Sequence, residues 1–84
     1  MNSQDILSRI RENERRMSKG QHRLAAYITE HYDKAVFLTA KQLGDAVGVS
    51  QSTTVRFAIM LGYEGYPQMQ SALEETVKAR LTGV

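Results

Sequence analysis

The clearest pattern of apolar positions in the chain lies in its second half, between Ser50 and Gly62. Within this stretch, small or apolar side chains recur at intervals of three and four residues, the period of one buried stripe on an α-helix. The stripe consists of four residues: Thr54, Phe57, Ala58 and Leu61. Because serine is a favourable N-cap and a glycine commonly follows the end of a helix, the pattern predicts a helix between Ser50 and Gly62.

A shorter helix is predicted directly upstream. Thr39 and Gln42 have the spacing of a capping box, so this helix should begin at about Ala40. Its predicted apolar face consists of Leu43, Ala46 and Val47. Gly48 lies where helices commonly end in a left-handed residue, a conformation that a side chain would penalise.

The two helices and the tight turn between them predict a helix-turn-helix over about residues 39–62, with its second helix in the major groove of DNA. Gly44 supports this prediction, because helices that cross through so tight a turn bring their backbones close together. An ordinary helical hairpin, however, needs caps and a glycine just as much. The remaining face of the second helix must therefore distinguish the two.

That remaining face has the chemistry of a base-reading surface: Gln51, Ser52, Val55, Arg56 and Ile59. Amide and guanidinium groups bind purine edges, hydroxyls bind bases or phosphates, and apolar groups contact thymine methyls. No acidic residue lies three or four positions from Arg56 within the helix, so an intrahelical ion pair does not explain it. For Ile59 the pattern is equally compatible with burial against another helix. We predict that Gln51, Ser52, Val55 and Arg56 read bases.

The N-terminal ends of the two helices are predicted to contact DNA phosphates, because the positive end of a helix dipole favours an anion. The side chains assigned to this role are those of Thr39, Lys41, Ser50 and Thr53. Lys19 and Arg23 would add to it if they share the same face, which the sequence does not determine.

The rest of the chain predicts three more helices and no strand, so the fold class is all-α, a five-helix bundle containing the helix-turn-helix. The first helix should span residues 3–16 and be capped by Asn2 or Ser3. It has a thin apolar stripe on an otherwise charged surface: Ile6, Leu7 and Ile10. We expect a partner subunit to complete this stripe.

The second helix should begin after the capping pair Ser18 and Gln21 and span about residues 19–32. A connector over residues 33–38 is then expected to place three apolar side chains in the core: Val36, Phe37 and Leu38. The last helix should span about residues 67–81, with Pro67 at its first position. Its predicted buried positions are Met69, Ala72, Leu73, Val77 and Leu81. We expect the first or last helix to join two chains in a homodimer or higher homo-oligomer.

Length and composition narrow the function. With 84 residues the chain is one small domain, and the absence of cysteine excludes disulfides and thiolate metal sites. The net charge is +2, but residues 1–42 carry eight Lys/Arg against five Asp/Glu, and residues 43–84 carry three against four. This imbalance suits phosphate contacts. The absence of cysteine also suits a reducing cytoplasm, no apolar run has the length of a membrane span and no signal peptide is evident, so a cytoplasmic protein is expected.

The residues of an enzyme active site are not apparent. His22 and His31 lack the spacing of zinc ligands, and the adjacent Glu74 and Glu75 point about 100° apart on a helix, unlike a glycosidase pair. No serine or threonine has a histidine and an acid positioned for a triad. We expect no catalysis, metal or cofactor.

The chain resembles the N-terminal domain of RpiR-type bacterial transcriptional regulators, which carry a G-V-S-x-x-T-[VI]-x-R-F core followed by L-G-[FY]-x-G-[FY]. The matching residues are Gly48, Val49, Ser50, Thr53, Arg56, Phe57, Leu61, Gly62, Tyr63, Gly65 and Tyr66. An upstream segment from Ser18 to Ile28 resembles the family's S-x-x-E-x-x-[IV]-A-x-Y-I. Gln21 replaces its glutamate, Gly44 stands where alanine is usual, and Thr54 where valine or isoleucine is usual. A buried Thr54 hydroxyl would need an acceptor, most simply the Ser50 carbonyl.

The resemblance implies sequence-specific binding of double-stranded DNA by a regulator of sugar metabolism. Family members usually continue into a sugar-isomerase-like domain that senses phosphosugars, and nothing in these 84 residues corresponds to it. A phosphosugar effector is therefore expected only through such an absent domain. The alternative function is a helical protein-interaction or dimerisation module without nucleic-acid binding.

Overall fold

The computed structural model describes residues 5–82, and the side chains of residues 5–80. It contains five α-helices: α1 (Ile6–Asn13), α2 (Lys19–Ala35), α3 (Ala40–Val47), α4 (Gln51–Met60) and α5 (Tyr66–Thr82). One 3-10 turn, Glu14–Arg16, follows α1. The described residues contain no strand, so the all-α prediction is confirmed.

Helix α1 begins later than predicted, because Asp5 is its N-cap and accepts a hydrogen bond from the Leu7 backbone N–H at 3.1 Å. The predicted caps Asn2 and Ser3 lie outside the described residues. The apolar stripe of α1 is buried within this chain, with Ile6 0%, Leu7 8% and Ile10 2% exposed. The expectation that a partner subunit completes the stripe is therefore wrong, because α1 packs against α5 of the same chain.

Helix α2 has the predicted capping box: Gln21 N–H donates to Ser18 Oγ at 3.2 Å, and Ser18 N–H donates to Gln21 Oε1 at 2.9 Å. The helix deviates from helical geometry at His31, where φ is −136° and ψ is 43°, and continues to Ala35. The predicted end at residue 32 thus lies next to the deviation.

The connector between α2 and α3 is fixed by two side chains of α5. The Tyr66 hydroxyl donates to the Leu38 carbonyl at 2.6 Å. Gln70 Nε2 donates to the carbonyls of Val36 at 2.8 Å and Leu38 at 3.2 Å. Val36 is buried, but Phe37 is 82% exposed, so the prediction that it enters the core is wrong. With its two neighbours bound to α5, the connector directs the Phe37 side chain outward.

All five helices contribute side chains to the core, and most of the predicted stripes face it. Its largest fully buried side chains include Phe57, Leu24, Ile28, Leu43, Met69 and Leu73. On α3 the prediction was wrong for Ala46, which is exposed; Ala40 and Gly44 are buried instead. On α5, Ala72 and Val77 are only half-buried, and the side chain of Leu81, also predicted to be buried, lies outside the described side chains. The unpredicted Thr76 is buried, and its hydroxyl donates to the Ala72 carbonyl at 3.1 Å.

Candidate nucleic-acid interface

The turn between α3 and α4 is built by local capping. Thr39 and Gln42 form the predicted capping box, with the Gln42 N–H donating to Thr39 Oγ1 at 3.1 Å. Gly48 ends α3 in the left-handed region at φ 82°, as predicted. The backbone N–H groups of Gly48 and Val49 both donate to the Gly44 carbonyl. The turn is therefore closed by backbone hydrogen bonds that require the left-handed residue.

Helices α3 and α4 approach each other closely at Gly44, where there is less room for a side chain than at Gly48. A Cβ added to Gly44 would lie 2.7 Å from the Val49 carbonyl oxygen and 2.9 Å from Thr54 Oγ1. Both distances are shorter than ordinary van der Waals contact. The glycine thus sets the crossing of the two helices, as the sequence predicted.

Helix α4 begins at the predicted cap. Ser50 Oγ accepts a hydrogen bond from the Thr53 N–H at 3.0 Å and donates to Thr53 Oγ1 at 3.0 Å. The buried Thr54 hydroxyl donates to the Ser50 carbonyl at 3.2 Å, so the acceptor expected from the sequence is the one observed.

The exposed face of α4 lies opposite its buried stripe. Thr54, Phe57, Ala58 and Leu61 are buried as predicted. Gln51, Ser52, Arg56 and Ile59 are exposed, and Val55 is half-buried. Ile59 is 53% exposed, which rules out its burial against another described helix. Within the described residues Arg56 makes no hydrogen bond or salt bridge, so its guanidinium can bind an external acceptor.

The residues predicted to contact phosphates differ in the interactions that they already make within the chain. Thr39, Ser50 and Thr53 are occupied in caps, although hydroxyls retain capacity for another hydrogen bond. Lys41 Nζ lies 3.1 Å from Asp45 Oδ2, one turn along α3. Both side chains are largely exposed, so this pair stabilises the fold by at most a few tenths of a kcal/mol. A phosphate would compete with Asp45 for Lys41.

Helix α2 contributes a basic residue that the sequence could not place. A Cβ added to Gly20 would lie 3.1 Å from Val49 Cγ1, so the start of α2 packs on the turn. Arg23 Nη1 lies 3.9 Å from the position of a Cβ on Gly48. The Arg23 guanidinium is therefore beside the helix-turn-helix, one turn of α2 beyond this contact, and Lys19 is exposed at the first position of α2. In the sequence, only the spacing of four residues between Lys19 and Arg23 indicated that the two share one face of α2.

Other site types find little support in residues 5–82. No group of three or more His, Asp or Glu side chains there could hold a metal ion. None of the helices described is long and apolar enough to cross a membrane. A groove of about 580 Å³ between α1 and α5 is lined by residues of those elements and the α1 cap alone, away from the turn.

The fold and the turn geometry define a helix-turn-helix domain. The family model of the helix-turn-helix domain of the rpiR family matches residues 4–80, and the chain belongs to this family. The match covers the resemblance seen in the sequence, which ran over about residues 16–75, and extends it to α1 and further along α5.

Two related proteins are similar over most of this chain. The uncharacterized HTH-type transcriptional regulator YfhH of Escherichia coli K12 is 38% identical over 74 residues, which are 88% of this chain and 26% of that protein. A structure of the Vibrio vulnificus NanR protein complexed with ManNAc-6P matches with a TM-score of 0.82 and 30% identity, over 90% of this chain and 29% of that one. The chain thus spans between a quarter and a third of the length of these relatives.

Proposed function

We propose that this domain binds double-stranded DNA sequence-specifically, with α4 in the major groove. Gln51, Ser52, Val55 and Arg56 face base edges in this proposal. The observation that carries it is the exposed, unengaged Arg56 on the face of α4 opposite the buried stripe. A guanidinium in that position can bind guanine O6 and N7 together, and Gln51 can bind adenine N6 and N7 in the first turn.

Phosphate contacts hold the helix in the groove. The proposed contacts are Thr39, Lys41, Ser50 and Thr53 at the two helix N-termini, with Arg23 and Lys19 beside the turn. They add affinity for any duplex but carry no sequence information, because phosphates are the same at every base pair.

The test compares Arg56→Ala with Arg11→Ala, an exposed arginine on α1 whose loss changes the net charge equally. A duplex is first selected from a random pool with the unmodified chain, and affinities are then measured by fluorescence anisotropy for that duplex and for a random one. Arg56→Ala should lower the affinity for the selected duplex by about 1–3 kcal/mol and for the random duplex only as much as Arg11→Ala does. Arg56→Lys should recover charge but not the planar fork.

An unchanged ratio of the two affinities in a folded Arg56→Ala protein would refute base reading by Arg56. Failure of the unmodified chain to enrich any duplex would favour the alternative, a helical protein-interaction module that uses the same face. Ile59 would then lie at the centre of the protein contact.

We also propose that the domain acts within a longer transcriptional regulator in the cytoplasm, as a homodimer or higher homo-oligomer. Helix-turn-helix dimers place two recognition helices about 34 Å apart on pseudopalindromic half-sites. The ManNAc-6P bound by NanR supports a phosphorylated sugar as the effector, acting through residues outside this chain. Footprinting with and without sugar phosphates tests both proposals, because a dimer should protect two half-sites and an effector should change their occupancy.

A further inference from the structure

The C-terminal end of α4 is closed by its own backbone and by a side chain from α1. Gly62 N–H donates to the Ile59 carbonyl at 2.9 Å, and Tyr63 N–H donates to the Ala58 carbonyl at 3.1 Å. With Gly62 at φ 103°, this is a Schellman motif. The Leu61 carbonyl accepts a hydrogen bond from Arg9 Nη1 at 3.0 Å.

The surroundings hold Arg9 in this position. Its guanidinium carbon lies 4.4 Å from the centre of the Tyr63 ring, a cation–π contact. A Cβ added to Gly62 would lie 2.8 Å from Arg9 Nη1, so the glycine leaves the room that the guanidinium occupies. The Tyr63 ring and the absence of a side chain at Gly62 together accommodate the Arg9 guanidinium.

The positive charge of Arg9 faces the negative end of the α4 helix dipole, which strengthens its hydrogen bond to the Leu61 carbonyl. This hydrogen bond joins residues that are 52 positions apart in the sequence. Near its N-terminal end, α4 packs closely on α3, because a Cβ added to Gly44 would lie only 2.9 Å from Thr54 Oγ1. Helices α2 and α5 pack on α4 as well, and the hydrogen bond from Arg9 adds a polar contact from α1 at its C-terminal end.

We propose that Arg9 is a positioning residue for DNA recognition, because it fixes the tilt of α4 and thereby the register of its base-reading side chains. The proposal rests on the proposed function. A ten-residue helix is about 15 Å long, so releasing its C-terminal end displaces Arg56 more than Gln51. Bidentate hydrogen bonds to a base hold only over a few tenths of an ångström, whereas the attraction between a basic side chain and a phosphate changes little over such a displacement.

The experiment compares Arg9→Met with Arg11→Met on the same helix, so that both variants lose one charge. The affinities for the selected duplex and for a random duplex are measured at a temperature at which circular dichroism shows each variant fully folded. Arg9→Met should lower the ratio of the two affinities at least about fivefold, the lower range of one bidentate base contact. Arg11→Met should leave the ratio unchanged, and Arg9→Lys should fall between the unmodified chain and Arg9→Met.

A purely structural role would lower the melting temperature and reduce both affinities by the same factor, leaving the ratio unchanged. That result would overturn the inference. If Arg9→Met does not fold, Arg9→Lys decides, since an unchanged ratio in that variant refutes a positioning role. Two other results would refute the proposed function itself. Either Arg56→Ala would also leave the ratio of affinities unchanged, or the unmodified chain would enrich no duplex.

Discussion

Gly44 and Thr54 face each other across the helix-turn-helix, where a Cβ on Gly44 would lie 2.9 Å from the Thr54 hydroxyl oxygen. The same Cβ would lie 2.7 Å from the Val49 backbone carbonyl, which cannot move without opening the turn. The small residue on α3 therefore makes room both for the backbone of the turn and for the threonine of α4.

We expect Gly44→Ala to lower the melting temperature. Alanine improves helix propensity by about 1 kcal/mol, but the contact with a backbone carbonyl outweighs that gain. Thr54→Val, which removes the hydroxyl and leaves the Ser50 carbonyl bonded to the Thr54 N–H, should change stability by less than about 1 kcal/mol.

The measurement is chemical denaturation of both single variants and the double variant. Because Gly44 and Thr54 are in contact, their effects should not be additive. Valine places a methyl group, which is larger than the hydroxyl, at this contact, so the double variant should be less stable than the sum of the single effects predicts. Strictly additive effects would show that the side chain at position 54 does not obstruct the added methyl group. Equal stability of Gly44→Ala and the unmodified chain would contradict the close crossing itself.

Lys41 is expected to anchor a phosphate in competition with Asp45. Lys41→Ala should weaken binding to all duplexes equally and lower the slope of log affinity against log salt by about 0.9. Asp45→Asn should instead tighten binding to all duplexes, since it removes both a competing acceptor and a negative charge. Titrations at several salt concentrations measure both effects, and a loss confined to the selected duplex would show that Lys41 reads bases.

The hydroxyls of Tyr63 and Tyr66 provide a matched pair. Among the described residues the buried Tyr63 hydroxyl has no hydrogen-bond partner, whereas the Tyr66 hydroxyl donates to the Leu38 carbonyl. Tyr63→Phe should therefore be neutral or stabilising, and Tyr66→Phe should cost about 1 kcal/mol. Thermal denaturation of the two variants tests this, and a larger loss for Tyr63→Phe would indicate a partner for its hydroxyl.

Tyr66 also makes the protein sensitive to alkali. Burial raises the pKa of Tyr66 from 10.0 to about 12, since the charged form is penalised inside the protein. A folded-state pKa above the unfolded value contributes stability that is complete below pH 10 and is lost as pH rises through about 12. Denaturation between these pH values should show a falling stability, and Tyr66→Phe should reduce the slope. An identical slope in the variant would show that other groups cause the loss.

The sequence by itself determined the features that depend on neighbours along the chain. The capping boxes at Ser18 and Thr39, the cap at Ser50 and the left-handed Gly48 were all predictable, because their hydrogen bonds join residues within five positions. Helical periodicity predicted the buried stripe of α4, and the positions outside that stripe were therefore predicted to be its exposed face.

Only the tertiary structure decided what lies between distant segments. It showed that the stripe of α1 is covered by the same chain, that Phe37 points outward, and that Arg23 lies beside the turn. The bond from Arg9 to Leu61 spans 52 positions and that from Tyr66 to Leu38 spans 28. No periodicity or capping rule encodes such pairs, because they depend on how helices pack, and packing is set by the whole core at once.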